Sequence, residues 1–375
     1  MNAPRRPAVH QFTPGIDAGD GVSNGIFFTR ALLREMGFDS EIFAFTIPEA
    51  LKGEVHFPTG CADDADQVLL VHHALGHDFG DWIDQRKARK VLVYHNITPA
   101  SFFPAEHPVH ALSLRGRDML RRWQAAGRFV ACIGDSDYNS GELRGLGFTA
   151  VRTIPLLVDV DACRARPWDA GVVQNHADRF TLLFVGRLSP HKCQHRLLEV
   201  MAALLPRLAQ PAELLLVGGS ASAEYEAQLR DAIRRLALEG YVHLMGKVDE
   251  ATLYGLYRAA DIFVCLSEHE GFGMPLIEAM LFDLPVIAAD FASVADTMGC
   301  GGLVMQECAP EQVAATIACV AADPALRAAL IAGQQERVER FERARLVADL
   351  HACLGDLGVG TGAERLSRTV TGAAS

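Results

Sequence analysis

The sequence predicts an α/β protein built from two Rossmann-like, doubly wound parallel-sheet domains that face one another across a cleft. Three observations carry this expectation. The short apolar runs are continuous rather than alternating, as strands buried on both faces require. Helical periods separate those runs. The alternation also runs twice, with one polar, proline-bearing interruption, and 375 residues suit two domains.

The first series fills about residues 5–160. A glycine-rich turn at 15–25 (GIDAGDGVSNG) leads into a helix over 22–36, where Val22, Ile26, Leu33 and Met36 form an apolar stripe. Strands are expected at 68–71 (VLLV), 90–95 (KVLVYH) and 129–133 (FVACI). A polar stretch then breaks the pattern, and 166–178 reads as a linker. The second series begins at Thr181 with strands at 181–186 (TLLFVG), 213–218 (ELLLVG), 262–266 (IFVCL) and 285–289 (PVIAA). A helix over 223–239 aligns Leu229, Ile233 and Leu236, with Gly240 as its stop. Asp323 and Pro324 read as the N-cap and first residue of a late helix. The expected divisions are 1–165, the linker, 179–335, a closing helix over 336–357, and a flexible tail over 358–375.

Composition excludes several classes. Hydrophobic residues make up 50% of the chain and charged residues 22%, which is too apolar for disorder. A net charge of −11 argues against nucleic acid as a partner. The nine cysteines are odd in number and contain no C-x-x-C, as expected of reduced thiols. The start MNAPRRPAVHQF has no apolar core after its arginines, and no apolar run reaches the ~20 residues of a membrane span. A cytoplasmic protein is expected. Arg115, Arg117, Arg121, Arg122 and Trp123 form a basic stretch that, as a helix, would suit peripheral contact with the inner face of a membrane. The plainer reading, a solvated helix face, is favoured.

The most informative segment is 267–280 (SEHEGFGMPLIEAM), which follows a strand and opens a helix at Pro275. Gly271 and Gly273 allow close approach of a ligand, and amides near Met274 to Leu276 would face an anion such as phosphate. Glu270 and Glu278 flank that turn, and carboxylates accept from hydroxyls. The pattern suits a ligand with phosphates in the middle and hydroxyls at both ends. The bland alternative is a helix cap with two solvated glutamates. In 184–192 (FVGRLSPHK), Arg187 and Lys192 follow a strand and suit a diphosphate.

Two weaker signals lie in the first domain. Gly19, Gly21 and Gly25 nearly match G-x-G-x-x-G, with Asp39 beyond. This makes an NAD-dependent dehydrogenase the obvious rival, although the last spacing is one residue too long. His95, at the end of a strand, either orients a sugar hydroxyl or phosphate or simply bonds backbone. His72 and His73 are similar, weaker candidates. No His/Cys/Asp cluster has metal-ligand spacing, and neither G-x-S-x-G nor a P-loop occurs.

These segments, with LLLVGG, VHLMGKV and PLLVD, resemble retaining GT-B glycosyltransferases of the group 1, or family 4, type, whose E-x7-E signature SEHEGFGMPLIEAM matches. The resemblance implies metal-independent transfer of a mannose- or glucose-like hexose from a nucleotide sugar, such as GDP-mannose or UDP-glucose. The acceptor would be a sugar or lipid-linked glycan hydroxyl, in cell-surface polysaccharide or glycan biosynthesis. Apart from this donor substrate, no cofactor is implied. The first domain would bind the acceptor and the second the donor, and the last helix would cross back onto the first. Arg187 and Lys192 would meet the diphosphate, Glu270 the sugar hydroxyls and Glu278 the ribose. Amides around Gly273, Met274, Leu276, Gly19 and Gly21 would contact phosphate or sugar. Lys247 would lie by the base and His95 near the anomeric carbon. The sequence departs from the family at Cys193, where many members have glycine, and at Ala295-Asp296, in place of Pro-Glu. A GT-B epimerase or phosphorylase would share the fold.

Overall fold

The computed structural model describes residues 7–17, 19–155 and 158–359. They form two compact units: one runs to Asp159 and resumes at Phe341, and the other spans Val160–Arg340. The expected tail over 358–375 lies almost wholly outside the described residues.

The first unit contains β1 (Val9–Gly15), α1 (Gly21–Glu35), β2 (Ile42–Thr46), β3 (Val55–His56), β4 (Val68–His73), α2 (Gly80–Gln85), β5 (Arg89–Tyr94), α3 (Pro108–Ala125), β6 (Ala131–Gly134), α4 (Asp137–Gly145) and β7 (Val151–Thr153). Its seven strands are parallel, in the order β3-β2-β1-β4-β5-β6-β7. Alternate residues of each strand serve opposite faces, which explains the unbroken apolar runs. Val9, Val68, Leu70, Val91 and Val93 feed one core, and Phe12, Leu69, Val71, Leu92 and Tyr94 the other.

The second unit contains α5 (Val160–Ala165), α6 (Ala170–His176), β8 (Phe180–Val185), α7 (Gln194–Leu204), β9 (Ala212–Val217), α8 (Ala223–Arg235), β10 (Val242–Gly246), α9 (Glu250–Ala259), β11 (Ile262–Cys265), α10 (Met274–Leu281), β12 (Val286–Ala289), α11 (Val294–Met298), β13 (Leu303–Met305), α12 (Pro310–Ala322) and α13 (Pro324–Val338). Its six parallel strands run β10-β9-β8-β11-β12-β13. The chain then returns to the first unit as α14 (Arg343–Asp356), which buries Leu346, Leu350, Cys353 and Leu354 against the Val9 core.

Four sequence expectations need correction. The 166–178 segment is helical in part and belongs to the second unit. Asp169 accepts from the Gly171 amide (2.8 Å) to cap α6, and its own amide donates to Ala251 O (3.0 Å). Its polar residues are caps and docking contacts, not linker residues. The strand expected at 129–133 starts two residues later, at Ala131. Helix α8 stops at Arg235, before Gly240, because Ala237 turns left-handed (φ 53°) and Leu238 N donates back to Ile233 O (2.9 Å). Trp123, offered as a surface aromatic, is 3% exposed in the core. On the same helix Arg117 pairs with Glu142 (3.2 Å), Arg115 with Asp78 and Arg122 with Asp118 (3.0 Å). Among the described residues no single helix is long and apolar enough to cross a membrane.

Candidate active site

In open parallel sheets, ligands bind beyond the carboxyl ends of strands, where the strand order reverses. The second unit reverses between β8 and β11. The residues singled out in that half of the sequence follow these strands and their neighbours.

The loop after β8 is drawn tightly over the sheet. Gly218 has φ +143°, and a Cβ there would stand 2.2 Å from Gly186 O, so only glycine lets the two backbones meet. Gln194 is fully buried and braces the loop. Its Nε2 donates to Arg187 O (2.8 Å), and its Oε1 accepts from Ser189 N (3.4 Å). Arg187 is exposed, and its guanidinium has no partner among the described residues. Lys192 instead reaches across to the loop after β11, where its Nζ donates to Glu270 Oε2 (2.5 Å). Burial pushes the Glu270 carboxyl up, but the Lys192 charge and hydrogen bonds overcome it, leaving a net depression. His191, between them, is pushed down to about 3 by burial and then by the Lys192 charge.

The Glu270 loop is held from α11 and its N-cap. Ser293 Oγ donates to Glu270 O (2.9 Å), and Thr297 Oγ1 to Phe272 O (2.5 Å). Gly273 caps α10 at φ +85°. The Leu276 amide is not available to an anion, since it donates to Gly273 O (2.9 Å) within the cap. Pro275 has no N–H to give. The open donors at this helix start are therefore the amides of Gly273 and Met274. One turn on, Glu278 Oε2 accepts from Tyr257 OH (2.7 Å), and burial raises its carboxyl above the ordinary value. Lys247 follows β10, and its stem lies over Gly219, where a Cβ would meet Lys247 Cε at 3.1 Å. Cys193, in the position where family members carry glycine, holds φ +54°, the conformation glycine would adopt without strain.

The first unit's candidates fare differently. Gly19 is left-handed (φ 79°) and Gly21 opens α1, but Asp20 occupies the N-cap and accepts from Ser23 N (3.2 Å). That carboxylate repels a phosphate brought to the same helix start. Asp39 precedes β2 rather than following it, so it lies at the edge away from a dinucleotide's ribose. Both facts count against the dehydrogenase reading. His95 is buried with both ring nitrogens engaged: Nδ1 to Asp135 Oδ2 (2.6 Å) and Nε2 to His72 Nδ1 (2.8 Å). In this arrangement neither ring nitrogen is turned to a substrate. Sequence reasoning missed Asp135, Gln194, Ser293, Thr297 and Tyr257. Each sits at a strand end, helix start or helix face, and none belongs to a recognisable motif.

Residues 170–337 match the family model described as Glycosyl transferases group 1. The chain is 32% identical over 250 residues to D-inositol 3-phosphate glycosyltransferase 2 of Catenulispora acidiphila, covering 62% of this chain and 57% of that one. It is 34% identical over 182 residues to the GDP-mannose:cellobiosyl-diphosphopolyprenol alpha-mannosyltransferase of Xanthomonas campestris, covering 47% of each. It thus spans about half the length of the curated relatives it matches. Among solved structures, Anabaena Alr3699/HepE in complex with UDP and glucose matches with a TM-score of 0.70 at 18% identity, covering 93% of this chain and 100% of that one. Residues 170–337 thus resemble the group 1 glycosyl transferases, and the two parallel-sheet units share the GT-B fold of the solved glycosyltransferases.

Proposed function

We propose that the protein is a retaining glycosyltransferase that moves a mannose- or glucose-like hexose from a nucleotide sugar to an acceptor hydroxyl. The observation that carries this reading is the contact between Lys192 and Glu270. It brings a cation beyond β8 and a carboxylate beyond β11, 78 residues apart, to one point beside the α10 cap. A cation, open amides and a hydroxyl-reading carboxylate at one strand reversal suit a sugar diphosphate. Arg187, exposed and unpaired, completes the phosphate-binding charge, while Glu278 and the Lys247 backbone serve the ribose and base.

The bond from the anomeric carbon to the donor phosphate breaks, and a bond to the acceptor oxygen forms on the same face. The acceptor proton passes to the departing phosphate. Lys192, Arg187 and the α10 amides stabilise the negative charge growing on that leaving group, so the reaction needs no divalent metal. The diphosphate competes with Glu270 for Lys192, and Glu270 then turns to a sugar hydroxyl. The name of the Xanthomonas campestris relative favours a mannosyl donor and a lipid-linked sugar acceptor, and we place the reaction in surface glycan synthesis at the cytoplasmic side of a membrane.

The test is a donor screen with GDP-mannose, UDP-glucose and UDP-N-acetylglucosamine, with and without chelator, reading the anomeric configuration of the product. Inverted product, or dependence on added metal, would overturn the mechanism. NAD binding without any sugar-nucleotide binding would overturn the class.

A further inference from the structure

Gln11 in β1, His72 in β4, His95 just beyond β5 and Asp135 just beyond β6 form one buried chain across the four central strands of the first unit. Asp135 Oδ2 lies 2.6 Å from His95 Nδ1, His95 Nε2 lies 2.8 Å from His72 Nδ1, and His72 Nε2 lies 2.9 Å from Gln11 Oε1. The two imidazole rings are nearly parallel, at 3°. The far end of Gln11 fixes its amide, because Nε2 donates to Ile26 O (3.0 Å) in α1. Turning the amide over would set its oxygen against that carbonyl, two acceptors face to face.

Both ends of the chain are therefore acceptors. Three hydrogen bonds join them through four ring nitrogens, and each bond needs one proton. Two neutral imidazoles supply two. The third must be held by the chain itself.

We propose that Asp135, His72 and Gln11 are positioning residues that hold His95 as an imidazolium, a fixed buried cation with no free ring nitrogen. The Asp135 carboxylate beside it balances the charge, with the two side chains 0% and 1% exposed. Burial depresses His72 well below the ordinary imidazole value, which places the third proton at the His95–Asp135 end of the chain. His73, the next residue of β4, is pushed down to about 3, first by burial and then by His77 and His95. His77 is pushed down to about 4, chiefly by burial, so both neighbouring imidazoles are uncharged at neutral pH. Gln11 and Ile26, the contacts from β1 and α1, are themselves uncharged.

An imidazolium bonded at both nitrogens has no lone pair for a proton. His95 is then excluded as a general base and acts only through its charge. This inference stands whether or not the protein transfers a sugar, because it is tested without turnover.

The test is two-bond 1H–15N correlation on the full chain labelled at histidine, at neutral pH, with His95 identified by loss of its signals in His95→Gln. The expected spectrum has one imidazole with both nitrogens protonated, at His95, and His72 neutral. Two neutral imidazoles in the parent protein would overturn the proposal. Gln11→Met removes the distal acceptor and with it the need for a third proton. In that variant the doubly protonated signal is expected to convert at a pH lower by about one unit or more. Conversion at the parent pH would refute the role of Gln11. Should that variant fail to fold, the parent spectrum alone decides.

Discussion

Lys192 holds the Glu270 carboxyl below its ordinary value against the opposing effect of burial. Removing the lysine therefore has two separable effects. Lys192→Ala is expected to lower turnover about 100-fold, as for loss of a charge partner to the leaving group. It should also cost about 3 kcal/mol of stability, because a buried carboxylate is left unpaired. Adding Glu270→Gln should restore much of the melting temperature but none of the turnover; equal recovery of both would remove the phosphate role. Arg187→Ala is the control, since its side chain is exposed and makes no ion pair among the described residues. Turnover should fall by about the same factor, with stability within about 0.5 kcal/mol of the parent. The pair also sets a pH dependence. The folded Glu270 carboxyl lies below its ordinary value of 4.5, so its stabilisation is fully present above that value and is lost as pH falls through the folded one. Urea midpoints between neutral pH and pH ~4 should fall less in Lys192→Ala than in the parent, as the linkage requires. The types of these residues were legible in the sequence, but their contact was not, because 78 residues separate them and only the strand order joins them.

Helix α10 presents its start to the proposed donor only because Gly273 turns left-handed to cap it. Gly273→Ala places a Cβ at φ +85°, 2.8 Å from Leu276 Cδ1, and the conformation alone costs roughly 1–2 kcal/mol. The Met274 amide should move with the cap, raising the donor KM about 10-fold, as expected for one charge-assisted hydrogen bond. An unchanged donor KM in a stably folded variant would show that these amides do not face phosphate. Motif spacing foretold the turn and the helix start, since glycine, proline and the paired acids each carry a local preference. It did not foretell that Leu276 spends its amide on Gly273 O, because that bond depends on the exact cap geometry. The same limit explains α8, where Ala237 rather than Gly240 makes the left-handed turn. It explains α6 as well, since a short polar segment becomes helical only through Asp169 and its dock on Ala251. At Asp39 the residue type fitted a dinucleotide fingerprint, but the start of β2 put it at the wrong end of the strand.

The chain divides into two compact units, and the first is discontinuous in sequence. Its last contribution comes from α14, whose Leu346, Leu350, Cys353 and Leu354 pack among Val9, Val68, Val91 and Ile133. Arg343 ties the start of that helix to Glu35 (2.6 Å), and Arg89 donates to the carbonyl of Leu357 at its end. The first unit therefore completes its hydrophobic face only with residues that follow the whole of the second. Leu350 is 1% exposed, so Leu350→Ala should cost about 2–5 kcal/mol, the range for a large-to-small change in a packed core. That loss belongs to one unit. Calorimetry of the full chain is expected to show the transition of the first unit moving down by several degrees, while that of the second stays in place. Leu216→Ala in β9, fully buried in the other sheet, should do the reverse. If either substitution moved both transitions together, the units would unfold as one cooperative block, and the return of α14 would stabilise the entire chain rather than the first core alone.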